Sequence, residues 1–290
     1  MALPAWAGDG IDVTRPSVAR VYDYYLGGVH HFDADRAMAE KAIADWPDLP
    51  LIMRSNRAFL RRAVTYLARA GIRQFLDIGS GIPTSGNVHE IAQNLARESR
   101  IVYVDTDPVA VTHSRALLAG NPATAVLAAD FTRPGELLTA VRDLALLDPQ
   151  KPTALLLNAL LHFIPDSAQP GEAIATLRDA LAPGSYLVIS HATHELHPAD
   201  LTNRHRDLYR SNTASRMTMR GRTQVEAFFT GFDLVKPSFD RVELSIDRAE
   251  TGIDRVETGI VLSERWHPDE AASPAQAERF PIWVGVGHRP

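Results

Sequence analysis

The chain has 290 residues, 45% apolar and 22% charged, which suffices to bury a core and excludes a wholly disordered chain. A net charge of −5 with no run of five Lys or Arg excludes the electrostatic footprint of a duplex nucleic-acid binder, so a small-molecule or protein substrate is favoured and no nucleic acid is expected. The absence of cysteine excludes disulfides, thiolate metal sites and thiol nucleophiles; no stretch is apolar enough to span a bilayer and the first ten residues do not resemble a secretion signal, so a cytoplasmic location is expected.

In chain order, Asp33 to Asp45 and Arg54 to Ala70 have helical amphipathic spacing, separated by the breakers Pro47 and Pro50. From Phe75 onward, short apolar runs alternate with amphipathic stretches. The runs are Gln74 to Ile78, Arg100 to Asp105, Thr124 to Ala129, Thr153 to Asn158 and Ser185 to Ser190. Helical patterns fall between them at Asn87 to Arg97, Pro108 to Leu118, Gly135 to Leu144 and Pro170 to Leu181. This alternation predicts a doubly wound α/β fold, a mainly parallel sheet covered on both faces. Pro198 to Ser211 and Thr223 to Phe229 read as further helices, Phe232 to Val235 as a strand, and Pro281 to Gly287 as the final one. Residues 1–70 are expected to form an N-terminal helical extension and 71–290 one structural unit. Ile246-Asp-Arg-Ala-Glu-Thr-Gly252 is followed at once by Ile253-Asp-Arg-Val-Glu-Thr-Gly259, a duplication read as lengthening a surface hairpin or loop.

The first strand runs into Asp77-Ile78-Gly79-Ser80-Gly81 ahead of a helix, which brings backbone N–H groups and missing Cβ atoms to where a flat nucleotide-like cofactor can approach. The same turn could also simply close a strand-helix corner. Asp105 ends the next strand 28 residues after Asp77, where a carboxylate can accept hydrogen bonds from both ribose hydroxyls. A dinucleotide site would want a third glycine at Thr84; instead Asp77 precedes the glycines, where it suits the ammonium of a sulfonium cofactor better than a pyrophosphate. Asp130 can accept from an adenine amino group beside the ring of Phe131, and Asn158 lies at the carboxyl edge next to strand one.

The ordered set FLDIGSG, YVDTDP, AADF and LLLNALLHF resembles the class I, Rossmann-like, S-adenosylmethionine-dependent methyltransferases. More narrowly, Arg15-Pro16-Ser17, Ala19-Arg20-Val21-Tyr22-Asp23-Tyr24 and Leu26-Gly27-Gly28 resemble the opening signature of an actinobacterial S-adenosyl methyltransferase family of largely unassigned substrate. Asn56 to Leu60, Gly81 to Thr84 with Gly86 to Glu90, Gly184 to Leu187 with Ser190-His191, and Trp266 to Asp269 are similar to it as well. The resemblance implies a seven-stranded sheet whose last strand is antiparallel, and S-adenosylmethionine as cofactor. It implies Asp77, Gly79, Ser80 and Gly81 at the methionine end, bordered by Asn158 and Ala159, with Asp105 at the ribose. Thr106 and Asp107 would flank ribose and adenine, Asp130 and Phe131 would meet the adenine, and the segment from Tyr22 to Gly28 would fold over the cofactor as a lid.

Methyl transfer needs alignment above all, and a base only where the acceptor must lose a proton. His162 and His191, just past strands four and five, are the candidate catalytic residues. His191, His194 and His197 do not converge on a metal at either helical or extended spacing, so none is expected. His30-His31 could line the substrate mouth, and Arg20 or Arg57 could meet the cofactor carboxylate. The expected activity is methyl transfer to a small molecule; a non-catalytic cofactor-binding module is the alternative.

Overall fold

A computed structural model describes residues 12–83, 86–237, 259–267 and 277–290. Five strands, β1 (Gln74–Ile78), β2 (Arg100–Asp105), β3 (Thr124–Ala128), β4 (Ala154–Asn158) and β5 (Tyr186–Ala192), pair in parallel. Three more, β6 (Asp233–Leu234), β7 (Val261–Leu262) and β8 (Ile282–His288), complete the sheet, in which β8 lies antiparallel to β5, β6 and β7. The order is β3-β2-β1-β4-β5-β8-β6, so the expected seven strands form the main path and β7 adds a short pairing to β8. The order in which strands are added reverses between the parallel neighbours β1 and β4, which opens a crevice at their carboxyl ends.

Side chains of successive strand residues point to opposite faces, so a strand covered on both sides must be apolar throughout. Phe75 and Leu156 join one core layer, while Leu76, Leu155 and Leu157 join the other. The crossover helices α4 (Val88–Leu95), α5 (Pro108–Leu118), α6 (Pro134–Asp143) and α7 (Pro170–Ala180) lie between the strands in sequence; Val88 and Ala92 enter the first layer, and Leu137, Ile174 and Leu177 the second. Before the sheet come α1 (Val18–Tyr25), α2 (Asp33–Asp45) and α3 (Leu49–Arg69). Phe59, Leu60 and Leu67 of α3 enter the same layer as Phe75. The stretch 263–267 is fastened to α3, because Arg62 donates to the carbonyls of Ser263 (2.6 Å) and Trp266 (2.9 Å) and the buried Trp266 ring meets Phe59 edge-on. Two later helices, α8 (Ala199–Asn212) and α9 (Arg222–Ala227), precede β6.

The structure departs from the expected elements where local punctuation competes with packing. Helix α3 starts at Leu49, not Arg54, because Pro50 occupies its first turn, where a missing N–H removes no helical bond. Helix α1 was not expected as a helix at all. The duplicated heptads lie outside the described residues up to Gly259, as does Thr84. Among the described residues no helix is long and apolar enough to cross a membrane.

Candidate functional site

Gly79 (φ +72°) and Gly81 (φ +65°) sit in the left-handed region that admits glycine without strain. A Cβ on Gly79 would come within 2.8 Å of Leu160 Cδ1. The turn is tied to β2, since the N–H groups of Gly79 and Ser80 donate to Val104 O (2.8 and 3.1 Å) and that of Gly81 donates to Asp105 Oδ2 (2.7 Å). The other oxygen, Asp105 Oδ1, accepts from the Asp107 N–H (2.8 Å), so backbone donors orient the carboxylate. Burial nevertheless raises the Asp105 pKa above the usual carboxylate range. Asp77 is more deeply buried than the half-buried Asp105. Its pKa is pushed up to about 7, chiefly by burial and secondarily by Asp105, against the opposing pull of Arg57.

Asp107 lines the cleft and also does structural work. Its Oδ1 caps α5 by accepting from the N–H groups of Val109 (2.8 Å) and Ala110 (3.1 Å), and its Oδ2 accepts from the Ser17 hydroxyl. Beyond β3, Asp130 is exposed and its Oδ1 accepts from Thr132 N and Oγ1 (both 2.8 Å), beside the buried Phe131 ring. Beyond β4, Asn158 Oδ1 accepts from Ser190 Oγ (2.8 Å), which in turn accepts from the Ala159 N–H (2.8 Å). Ala159 itself has φ +56°, a strained conformation for a residue with a Cβ.

These residues open on one cleft of about 530 Å³, together with Thr106 and Tyr22. Gly28 is the exception. Its N–H donates to Asp23 O, and a Cβ there would collide with the Asp23 carboxylate, so the glycine serves a local turn. The cover over the cleft is consequently residues 12–22, not Tyr22 to Gly28. It is clasped on both rims, by Ser17 to Asp107 and by Arg15 Nη2 to Thr213 O (2.8 Å).

The structure also separates the two arginines that sequence left equivalent. Both border the cleft, but Arg20 is spoken for, buried against Asp35 (3.1 Å) and donating to the carbonyls of Asp12 and Arg15. Arg57 lines the cleft with Asp77, its guanidinium 5.9 Å from the Tyr22 ring centre, and its buried Nε has no hydrogen-bond partner among the described residues.

Behind the cleft is a smaller enclosed pocket of about 50 Å³. Val18, Tyr22, Ala159 and Phe163 line both spaces, so the two adjoin. His162 and His191 both line the smaller one. His191 is unsuited to act as a base. Its Nδ1 donates to Ala192 O (2.8 Å), its Nε2 accepts from Arg220 Nη1 (2.9 Å), and burial reinforced by the Arg220 charge pushes its pKa down to about 3. Arg220, in turn, is held by Asp166 Oδ1 (2.6 Å) and by the carbonyls of Leu161 and Ile164 (both 2.8 Å). His162 Nδ1 accepts from the Ala192 N–H at 3.4 Å, which leaves the ring proton on Nε2; burial, then His191 and Arg220, holds it well below the ordinary histidine pKa. His162 is thus neutral and placed as a donor.

Sequence reasoning missed Arg220, which meets its partners across 29 to 59 residues of chain, and Asn56 as a pocket residue. His30 and His31 line neither space; the His30 N–H bonds the Asp23 carboxylate (2.8 Å) and its ring packs on His113. No group of three metal-ligating side chains occurs among the described residues; His197 of the histidine run packs against Trp46 instead.

A sequence profile described as S-adenosyl methyltransferase matches residues 4–243. Two solved structures are similar along nearly the whole chain. A proposed methyltransferase from Thermobifida fusca YX is 36% identical, with 99% of each chain covered and a TM-score of 0.85. A DUF574 family protein from Streptomyces avermitilis MA-4680 is 39% identical, with 96% of this chain and 99% of that chain covered and a TM-score of 0.83. No functionally curated protein matches.

Proposed function

The chain belongs to the S-adenosyl methyltransferase family, and from that premise we propose that it methylates a small molecule whose reacting end enters the enclosed pocket next to the cleft. When bound, S-adenosylmethionine supplies a methyl group made electrophilic by its sulfonium. The cleft suits this donor because Gly81 leaves open space where a Cβ would stand, the buried Asp77 and the half-buried Asp105 offer carboxylates to cationic or hydroxyl partners, and Arg57 carries an unpartnered Nε.

On this reading Asp77 and the Gly79-Ser80-Gly81 turn hold the methionine end, with Asp77 facing the ammonium and Arg57 the carboxylate. Asp105 receives the ribose hydroxyls, its two oxygens already oriented by Gly81 and Asp107. Thr106, Asp130 and Phe131 flank the adenine, while Asn158 and Ala159 border the methionine portion. Tyr22, as part of the cover, borders both the cleft and the pocket and helps to exclude water. His162 offers a hydrogen bond from Nε2 and so orients the acceptor, whereas His191 and Arg220 support the pocket wall.

The observation that carries the proposal is the junction itself: an enclosed apolar space shares Tyr22 and Ala159 with the cleft, a shape suited to a small acceptor and not to a polypeptide or a duplex. The net charge of −5 supports the same choice. Incubation with methyl-deuterated donor and a cell extract, followed by mass spectrometry, should place the label in the small-molecule fraction. Label confined to protein or nucleic acid would contradict the proposal.

A further inference from the structure

We propose that the enclosed pocket selects a neutral, flat, largely apolar acceptor that donates one hydrogen bond to Asn56 Oδ1. This rests on the reading of the adjoining cleft as the donor site, and it adds the chemical class of the other substrate.

The first support is the polar pattern within the pocket. Asn56 is 1% exposed, its Nδ2 donates to the Tyr22 hydroxyl (2.9 Å), and that hydroxyl donates on to Met53 O (3.4 Å). The chain of donors fixes the amide orientation and leaves Oδ1 buried without a partner. A desolvated amide oxygen can only accept, so the partner it lacks is an O–H or N–H.

The second support is charge. No Asp, Glu, Lys or Arg lines the pocket among the described residues. Its three histidines, His162, His191 and His205, are all held neutral at physiological pH by burial. An ion entering this space would lose its hydration without gaining a counter-charge.

The third support is the wall. Trp46, Phe163 and Tyr209 supply aromatic side chains, against which a flat ring packs well, and Met53, Met217 and Met219 supply flexible thioethers that adapt to a bound edge. A volume of about 50 Å³ suits the end of one ring, with the remainder of the molecule extending past Tyr22 into the cleft.

Phenol, anisole and benzoate probe these requirements, since all keep the ring while anisole lacks the O–H donor and benzoate carries a charge; Asn56→Leu separates the loss of the donor from the added methyl group. Their affinities for the full chain saturated with S-adenosylhomocysteine can be read by saturation-transfer NMR at pH 7.5. Phenol should bind about tenfold more tightly than anisole, the cost of an unmade buried hydrogen bond, and benzoate should not saturate. Asn56→Leu should erase the phenol preference, and Met217→Trp, which fills the pocket, should weaken phenol and anisole alike. Equal affinity for phenol and anisole in the unaltered protein, tighter benzoate, or unchanged binding in Met217→Trp would overturn the proposal. The product titration that precedes these steps reports on the donor site separately. If it shows no binding, the donor reading falls, and the phenol comparison on free protein still decides this one.

Discussion

Asp77→Asn should stabilise the cofactor-free protein above neutral pH while weakening its hold on the cofactor. The Asp77 pKa stands at about 7 in the folded chain against an ordinary 3.8, a rise dominated by burial. A group whose pKa is raised by folding adds no penalty below its unfolded value; stability then falls as pH climbs from about 3.8 through 7, because the folded state holds the proton longer. Three units at about 1.36 kcal/mol each set an upper bound of about 4 kcal/mol. Water in the open cleft lowers this to about 1–2 kcal/mol, roughly 2–3 °C of melting temperature for a domain of this size. Asparagine has the same shape and no charge to desolvate. Calorimetric melts at pH 5 and pH 8 should therefore show a gain that grows with pH, and titration with S-adenosylhomocysteine should show affinity reduced about tenfold or more. A variant that melts lower than the unaltered protein at pH 8, or whose gain is the same at both pH values, would refute the reasoning.

Three further substitutions separate structural from ligand-facing roles. Arg20→Leu breaks a buried ion pair and should cost about 3–5 kcal/mol of stability by denaturant titration, whereas Arg57→Leu should leave the melting temperature nearly unchanged at pH 5, where Asp77 holds its proton, and weaken S-adenosylhomocysteine about tenfold. Ser17→Ala removes one clasp of the cover, so stopped-flow measurements should show the same ligand leaving about fivefold faster. Ala159→Gly relieves a left-handed residue and should raise stability by about 1 kcal/mol; a fall would show that its Cβ packing outweighs the backbone strain.

Much of the sheet and of the cleft was legible in the sequence, for local reasons. Gln74 to Ile78 is a mostly apolar run followed at once by Gly79, and Asp105 ends the strand pairing with it in register, so both sit at the same edge whatever the surroundings. Pro50 misled because a proline's meaning depends on whether it falls in the first turn or beyond it. Gly28 misled because a glycine required by a close approach looks the same whether a cofactor or, as here, the Asp23 carboxylate makes that approach. His191 was legible as a residue at the carboxyl edge of the sheet, but its role was not. Only the arrival of Arg220 from 29 residues away decides which nitrogen is free, and the answer is neither. Asn56 is the same kind of case: its open Oδ1 depends on Tyr22, a residue of another helix.

The central claim is that the cleft between the ends of β1 and β4 holds the methyl donor, with Asp105 on its ribose. Isothermal titration of the unaltered protein and of Asp105→Ala with S-adenosylhomocysteine tests it most directly. The account predicts one site per chain in the former and affinity lower by about tenfold to a hundredfold in a folded Asp105→Ala. Equal affinities, or no binding to the unaltered protein, would contradict it.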